Sequence, residues 1–228
     1  MQSLEQVTIR KLENPTESEL EILTNLLCDG FTNDPFFAAA TGGIESLRYP
    51  YRRTVIAAAA IDGEIYVAKY GDRDFVGVIS FFPPDKELYY TEAQREACGF
   101  NALFASYPVE VAKWYKDYFF PIAIAHDERE LGKGVGITGC HIVSFAVLPE
   151  FQGKAIGKAL IKRVESEAFN KGTFCYLFTH NPINVAIYNR LGYTPVGEPQ
   201  RFVGLNELAF HGWIFRKNAE QLEREFKK

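Results

Sequence analysis

The stretch that decides the fold is Val147-Leu148-Pro149-Glu150-Phe151-Gln152-Gly153-Lys154-Ala155-Ile156-Gly157-Lys158-Ala159-Leu160. It predicts the end of a strand, a tight turn of small residues and the start of a helix. The first amides of a helix have no acceptor within the helix, and the helix dipole adds positive potential at the same place. The turn is therefore a candidate anion site, although glycines also occur in strand–helix turns for geometry alone.

Small side chains and nearby positive charge favour the anion site. Gly153, Ala155 and Gly157 would let a phosphate group approach the main chain, and Lys154 and Lys158 bring charge beside it. A phosphorylated ligand is thus the simplest occupant that these residues suggest.

The flanking residues predict alternating strands and helices. Residues 140–148 and 173–179 are rich in β-branched and aromatic side chains, which favours strands. Residues 156–170 carry apolar side chains at helical spacing, and a second helix is predicted over 182–191. Strand, helix, strand, helix in this order indicates a parallel pair with a right-handed crossover.

The N-terminal half predicts a strand, two helices and a hairpin. The strand covers 7–12, the first helix ends near Asp29-Gly30, and Asp34-Pro35 interrupts the chain before a second helix. We predict this second helix over 46–61 and hairpin strands over 64–70 and 75–82. Residues 85–136 are interpreted as a mostly helical insertion. At the C-terminus we expect a last strand within 204–215 and a frayed helix or tail over 220–225.

Two motifs resemble those of a known family, the GNAT (GCN5-related) N-acetyltransferase superfamily. Its acetyl-CoA pyrophosphate signature reads Gln/Arg-x-x-Gly-x-Gly/Ala, and Gln152, Ala155 and Gly157 take the three marked places. Alanine replaces the usual glycine at 155, narrowing the turn but keeping its N–H. Residues 181–193 are similar to a later helix of the family, in which an Asn is followed four residues on by a Tyr and then by Leu-Gly-aromatic.

The resemblance implies an α/β (α+β) fold, the GNAT acyl-CoA N-acyltransferase fold. We expect a central mixed, twisted sheet of about six or seven strands flanked by helices, with the helical insertion between the third and fourth strands. The domain prediction is a single domain over 1–228, with the insertion at approximately 85–136 and an acetyl-CoA-binding core at 139–197.

The resemblance also assigns roles to residues. Tyr188 would be catalytic, protonating the departing thiolate as general acid. Asn184 would bind the pantetheine arm, and the backbone at Phe145 and Val147 would pair with its amides. The predicted acetyl-CoA-binding residues are Phe145, Val147, Gln152, Gly153, Lys154, Ala155, Ile156, Gly157, Lys158, Asn184 and Tyr188. The general base stays open among His141, Ser144, Asp34 and Glu150.

The expected reaction is direct transfer of an acetyl group from acetyl-CoA to a small-molecule amine in a ternary complex. Aromatic residues crowd the regions that form the family's acceptor site, so we expect a partly apolar or aromatic acceptor. They are Phe36, Phe37, Tyr49, Tyr51, Phe81, Phe82, Tyr89, Tyr90, Trp114, Tyr115, Tyr118, Phe119 and Phe120. The alternatives are another acyl-CoA, a hydroxyl acceptor, a protein or peptide amine, or a non-catalytic acyl-CoA-binding module.

Composition narrows the remaining classes. The net charge of −4 over 228 residues argues against general nucleic-acid binding. The sequence lacks the roughly 20-residue apolar segment that spans a bilayer, a signal-peptide pattern, GxGxxG after the first strand and a P-loop. Cys28, Cys98, Cys140 and Cys175 are scattered, which favours reduced thiols and no metal site. We therefore expect a cytoplasmic monomer or homodimer with no nucleic-acid or membrane partner.

Overall fold

Seven strands form one mixed sheet in the computed structural model, which describes residues 6–227. The strand order is β1-β2-β3-β4-β5-β7-β6. The strands are β1 Val7–Lys11, β2 Glu64–Tyr70, β3 Arg73–Phe82, β4 Cys140–Val147, β5 Cys175–Thr179, β6 Thr194–Val203 and β7 Ala209–Lys217. Neighbouring strands run antiparallel except for the central pair β4 and β5, which is parallel as predicted.

Helices cover both faces of this sheet. They are α1 Glu17–Gly30, α2 Pro35–Thr41, α3 Arg48–Asp62, α4 Glu92–Ala97, α5 Phe100–Ser106, α6 Val109–Trp114, α7 Phe120–Leu131, α8 Ile156–Asn170, α9 Pro182–Arg190 and α10 Ala219–Phe226. Apolar side chains of α1 and α3 form a core with β2 and β3 on one face. Those of α8 form the core on the other face. The mixed sheet flanked by helices confirms the predicted fold class.

The helix boundaries follow from local chemistry. Thr16 and Glu19 cap α1 reciprocally: the Glu19 amide donates to the Thr16 hydroxyl at 3.3 Å, and the Thr16 amide donates to the Glu19 carboxylate at 2.9 Å. The break at Asp34-Pro35 is confirmed, since the Asp34 carboxylate caps a new helix by accepting from the Phe36 amide at 3.0 Å. That helix, α2, was not predicted, because its seven residues are too short for a periodic pattern.

The other elements lie close to their predicted places. Helix α8 has the predicted bounds, and residues 92–131 of the insertion are mostly helical, from α4 to α7. The hairpin strand β3 begins at Arg73, earlier than predicted, because Tyr70 pairs with Arg73 across a two-residue turn. Gly71 supplies the positive φ, 56°, that such a turn requires.

A β-bulge in β4 sets the direction of its last side chains. Ser80 pairs with Ser144 but Phe81 pairs with Ile142, so Val143 is the extra residue. Strict alternation would place 140, 142, 144 and 146 on one face. Because of the bulge, Phe145 and Val147 instead pack on the same core as Ile142, facing the first turn of α8.

The parallel strands β4 and β5 separate after a short contact. They pair only through Cys140 with Cys175, His141 with Tyr176 and Ile142 with Leu177. Beyond this point β4 continues to Val147 beside β3, and β5 continues to Thr179 beside β7. A cleft therefore opens in the middle of the sheet.

Of the predicted frayed helix or tail over 220–225, the helix is confirmed: residues 219–226 form α10, which packs against α8 instead of fraying. Leu222 is fully buried in the core. The buried Lys217 ammonium lies 3.1 Å from the Glu165 carboxylate and 2.6 Å from that of Glu225, which ties α10 to β7 and α8. A charge buried this deeply requires such partners.

Substitution of Leu222 tests this correction. Leu222→Ala should lower the free energy of unfolding by about 3 kcal/mol, because it removes a fully buried leucine side chain. The exposed neighbour Glu223→Ala is the control, with an expected change within about 0.5 kcal/mol. Urea unfolding of both variants measures the difference. Equal urea midpoints for Leu222→Ala and Glu223→Ala would mean that residues 219–226 are a tail that does not pack on the core.

Two predictions concern residues that the structure does not describe. The absence of a signal peptide was predicted from the start of the chain, and residues 1–5 lie outside the described range. The single domain over 1–228 includes them and residue 228, and it stays a prediction. In the described part of the chain, no helix combines the length and apolar character required to cross a membrane.

Candidate functional site

The turn before α8 presents a row of main-chain amides. Gly153 and Ala155 both have positive φ, 76° and 61°, and Ala155 is the N-cap of α8 without a side-chain cap. The Gln152 amide donates to the Pro149 carbonyl at 3.2 Å, and the Ala159 amide donates to the Ala155 carbonyl at 3.0 Å. Within residues 6–227, we find no acceptor for the amides of 153–158. We call this turn, residues 152–158, the amide cradle.

Space around the amide cradle is suited to a ligand. A Cβ atom added to Gly153 would meet no atom within 4 Å, so this part of the turn is open. A Cβ on Gly157 would lie 3.1 Å from the Phe145 ring, so glycine allows α8 to approach β4. The Gln152 side chain stabilises the turn itself by donating to the Val147 carbonyl at 3.1 Å. Lys154 is turned aside, its ammonium 4.5 Å from the centre of the Tyr70 ring.

A cavity of about 1220 Å³ connects the amide cradle with the cleft between β4 and β5 and with the helical insertion. Every predicted acetyl-CoA-binding residue lines it except Lys154. The volume exceeds that of a typical single-ligand pocket, about 300–1,000 Å³. There is room for two molecules to meet.

Tyr188 and Asn184 lie on one face of α9, as their spacing predicts, and both line the cavity. Tyr188 is buried among aromatic rings, with Phe145 at 6.5 Å and Phe215 at 5.6 Å between ring centres. Burial raises the pKa of the Tyr188 hydroxyl well above its usual value, so this group stays protonated. The Asn184 amide nitrogen donates to the Thr179 hydroxyl at 3.0 Å, which leaves its carbonyl oxygen as a ligand acceptor.

The far end of the cavity is aromatic. Of the aromatic residues predicted to surround the acceptor, six line it: Phe36, Tyr51, Tyr89, Tyr115, Phe119 and Phe120. Four more were not predicted to be there: Phe100, Phe104, Tyr107 and Phe202. Most of these rings belong to the insertion and to α2, so both elements build this wall. The other predicted aromatics, such as Phe81, do not reach the cavity.

Asp34, one of the base candidates, already has structural partners. Its carboxylate caps α2 and lies 2.7 Å from the Arg52 guanidinium, and both side chains are about nine-tenths buried. The guanidinium also stacks 4.1 Å from the Phe31 ring centre. These contacts give Asp34 a structural role, because a buried arginine needs an anionic partner.

His141 lies in a hydrogen-bonded group beneath α7. Its Nδ1 is 2.7 Å from one oxygen of Glu87 and 2.8 Å from the other. The Tyr176 hydroxyl donates to the same carboxylate at 3.0 Å, and its ring stacks on the imidazole at 4.4 Å. Burial opposes ionisation of Glu87, but His141 and these donors lower its pKa overall. Burial raises the pKa of the nearby Asp127 carboxyl, and its Oδ1 has no partner in the described chain.

His180 follows β5 directly and was not predicted as a site residue. Its ring stacks on Phe36 at 4.8 Å and lines the cavity. Burial lowers the pKa of His180 to about 4. The imidazole is therefore neutral at pH 7. It is also a weak base, because proton transfer to it from an alkylammonium with a pKa near 10 would cost about 8 kcal/mol.

The other two base candidates differ in position. Ser144 is buried and lines the cavity beside the bulge. Glu150 is exposed on the turn after β4 and is not part of the cavity wall. Of the four candidates for the general base, the geometry therefore leaves His141 and Ser144.

No sequence motif indicated a role for Glu87 or His180. Glu87 and His141 are 54 positions apart, and no motif connects them. Glu87 follows Pro83-Pro84 in a stretch that reads as a loop. His180 precedes the predicted helix start at Asn181-Pro182, and its position at a strand end was its only clue.

The partly buried His180 predicts an acid-sensitive fold. The pKa of His180 is lower in the folded than in the unfolded chain. The unfolded state therefore binds more protons between about pH 6.5 and 4. The free energy of unfolding should decrease as the pH is lowered through that window. From pH 7 to 4, the wild type should lose about 3 kcal/mol more than His180→Phe, which cannot titrate. Urea unfolding at both pH values measures this. The exposed His211→Phe should behave as wild type; equal losses in all three proteins would refute the assignment.

Metal ligation and thiol chemistry are two other possible sources of reactivity. Within residues 6–227, no three His, Cys, Asp or Glu side chains are grouped as a metal site would need. The four cysteines are unpaired, and all but Cys28 are buried. Burial raises the pKa of Cys140 to about 12, which keeps this thiol protonated.

Comparisons with known proteins place this geometry in context. The sequence profile of the acetyltransferase (GNAT) family matches residues 34–193. No curated protein matches the chain.

Solved structures of similar fold include three acetyltransferases. A polyamine N-acetyltransferase of Drosophila melanogaster has 15% identity and a TM-score of 0.60, covering 93% of this chain and 100% of its own. An agmatine N-acetyltransferase has 14% identity and a TM-score of 0.55, with the same coverage. A Corynebacterium glutamicum protein, described as a histone acetyltransferase and related acetyltransferase, has 19% identity and a TM-score of 0.56, covering 91% of this chain and 94% of its own. At these identities the likeness establishes a shared fold.

Proposed function

We infer the function from one premise: the chain belongs to the acetyltransferase (GNAT) family. We propose that it is an N-acetyltransferase that transfers the acetyl group of acetyl-CoA directly to the amine of a small molecule. The observation that carries this proposal is that the residues of the amide cradle, with their free amides, line the same cavity as Tyr188.

The amide cradle would bind the diphosphate of coenzyme A. Amides at a helix start combine donor geometry with a positive dipole, and the small residues let the phosphate approach. Pantetheine would then extend along the edge of β4 that β5 leaves free, with the backbone of Phe145 and Val147 pairing with its amides. The free oxygen of Asn184 would accept from the same arm.

The phosphorylated adenosine would lie outside the cradle. A second cavity of about 660 Å³ begins at Lys158 and is also lined by Lys162 and Arg190. Lys162 is already paired with Glu165 at 2.7 Å, so Lys158 and Arg190 are the cations that a phosphate would meet.

The chemistry needs few protein groups. The neutral amine attacks the thioester carbonyl, a carbon–nitrogen bond forms and the carbon–sulfur bond breaks. Tyr188 gives its proton to the departing sulfur, and the proton lost by the nitrogen restores it. Most of the acceleration would come from holding both substrates together in the cleft.

The acceptor end favours a small amine with an apolar part. It is lined by buried aromatic rings and covered by the helices of the insertion. The similar structures titled as polyamine and agmatine enzymes are consistent with a small acceptor. A peptide tail would need an open groove instead.

A thiol-release assay tests the proposal. Purified protein with acetyl-CoA is given a panel of aromatic and aliphatic amines and a set of lysine peptides. Release of coenzyme A with small amines supports the proposal, and preference for peptides would contradict the acceptor assignment. Calorimetric binding of acetyl-CoA without turnover on any amine would indicate a binding module rather than an enzyme.

Removal of one hydroxyl tests the general acid. Tyr188→Phe should lower kcat on the order of 100-fold and leave the affinity for acetyl-CoA within about twofold, because the hydroxyl acts on the leaving group. Steady-state kinetics and calorimetry measure the two effects. Phe178→Leu, also at the cavity wall, controls for general changes in packing. Unchanged kcat in Tyr188→Phe would remove this tyrosine from the mechanism.

A further inference from the structure

We propose that His141 is the proton acceptor for the attacking amine and that Glu87 positions it. The inference rests on the proposed function and names a base that the sequence left open among four candidates. It follows from the hydrogen-bonded group that β4, β5 and the loop after β3 build at the acceptor end of the cavity.

The contact with Glu87 fixes which nitrogen of His141 is free. An ionised carboxylate can only accept, so Nδ1, at 2.7 Å and 2.8 Å from the two oxygens, must carry the hydrogen. Nε2 is then the unprotonated nitrogen, and within residues 6–227 it has no hydrogen-bond partner. His141 lines the cavity with 13% of its side chain exposed, so Nε2 is open to a ligand or to one bridging water.

Acidic and phenolic side chains from three elements surround His141. Glu87 comes from the loop after β3, Tyr176 from β5 and Asp127 from α7, and these are the titratable groups that face the imidazole. Within residues 6–227, no arginine or lysine is hydrogen-bonded or ion-paired to these side chains. A proton taken up at Nε2 would be balanced by the Glu87 carboxylate, and the Tyr176 ring stacked at 4.4 Å holds the imidazole in place.

The other candidates lack one of these two features. Asp34 is bound to Arg52 at 2.7 Å. Within residues 6–227, no basic side chain is hydrogen-bonded to the Ser144 hydroxyl. His180 has its pKa lowered to about 4 by burial, too low to accept a proton from an alkylammonium. Only His141 combines an open nitrogen with a carboxylate behind it.

The proton balance is complete with these groups. The acceptor binds as an ammonium, transfers one proton to Nε2 of His141 directly or through one water, and becomes the nucleophile. The amine nitrogen loses its second proton as the amide bond forms. Tyr188 gives its own proton to the departing sulfur, and the second proton from nitrogen restores the tyrosine. The imidazolium then returns its proton to solvent.

A pair of acceptors separates this role from a structural one. Phenethylamine is an ammonium at pH 7, whereas its side-chain difluorinated analogue is far less basic and is largely neutral at pH 8.5. Only the ammonium needs a proton acceptor before attack. At pH 7 with phenethylamine, His141→Gln should lower kcat/KM on the order of 100-fold. With the difluoro analogue at pH 8.5 the loss should shrink to within about fivefold.

Glu87→Gln provides the second variant. Glutamine still fills the space beside His141 but removes the charge, so we expect a smaller loss with phenethylamine, on the order of 10-fold, and again a near-normal rate with the difluoro analogue. The exposed Glu128→Gln on α7 and His211→Gln on β7 are matched controls and should behave as wild type. Circular dichroism and thermal unfolding confirm that each variant is folded.

The possible outcomes are distinct. Equal losses with both acceptors in folded His141→Gln would overturn the inference, because a distorted site would affect both amines alike. No thiol release by wild type with either acceptor would also overturn it, whereas turnover of other amines in the panel would leave the proposed function standing. No turnover with any amine would overturn both.

Discussion

The active cleft depends on two parallel strands that start as neighbours and then separate. After Ile142 and Leu177 the main-chain groups of β4 and β5 no longer satisfy each other. Buried backbone groups need partners, so an unpaired strand edge inside a protein favours a ligand that supplies hydrogen bonds. A cofactor arm with amide groups would supply these hydrogen bonds. The length of the arm would then determine where its reactive end lies. In the proposed function, the separation of these strands would determine the position of both the cofactor and the chemistry.

The two ends of the cavity are built for opposite charges. At one end the amides of residues 153–158 and the dipole of α8 favour an anion. At the other end Glu87 and Asp127 contribute acidic groups within aromatic walls, which favours a protonated amine. The bulge at Val143 joins the two ends, because it turns Phe145 and Val147 toward α8 while His141 stays on the acceptor side. In the proposed function, this one extra residue would separate the acyl-donor site from the acceptor site.

Local patterns predicted the cofactor half of the molecule well. Helix α8 has a regular apolar stripe and a turn of small residues before it, so both its bounds and its free amides could be inferred from the sequence. The acceptor half depends on contacts between distant residues. The pairing of Glu87 with His141 spans 54 positions, and burial of α10 depends on Leu222 meeting a surface formed by α8. A bulge such as that at Val143 adds one residue to a strand without changing its composition, so no periodic pattern reveals it.

The central claim is that the amide cradle grips the diphosphate of coenzyme A. Calorimetric titration with coenzyme A and with pantetheine, which has the same arm but no diphosphate or nucleotide, tests it directly; 4′-phosphopantetheine, with a single phosphate, completes the series. The account predicts micromolar binding of coenzyme A and at least about 100-fold weaker binding of pantetheine, since charge-assisted hydrogen bonds contribute about 1.5–3 kcal/mol each. Equal affinities for the three ligands, or no heat with coenzyme A at millimolar concentration, would contradict it.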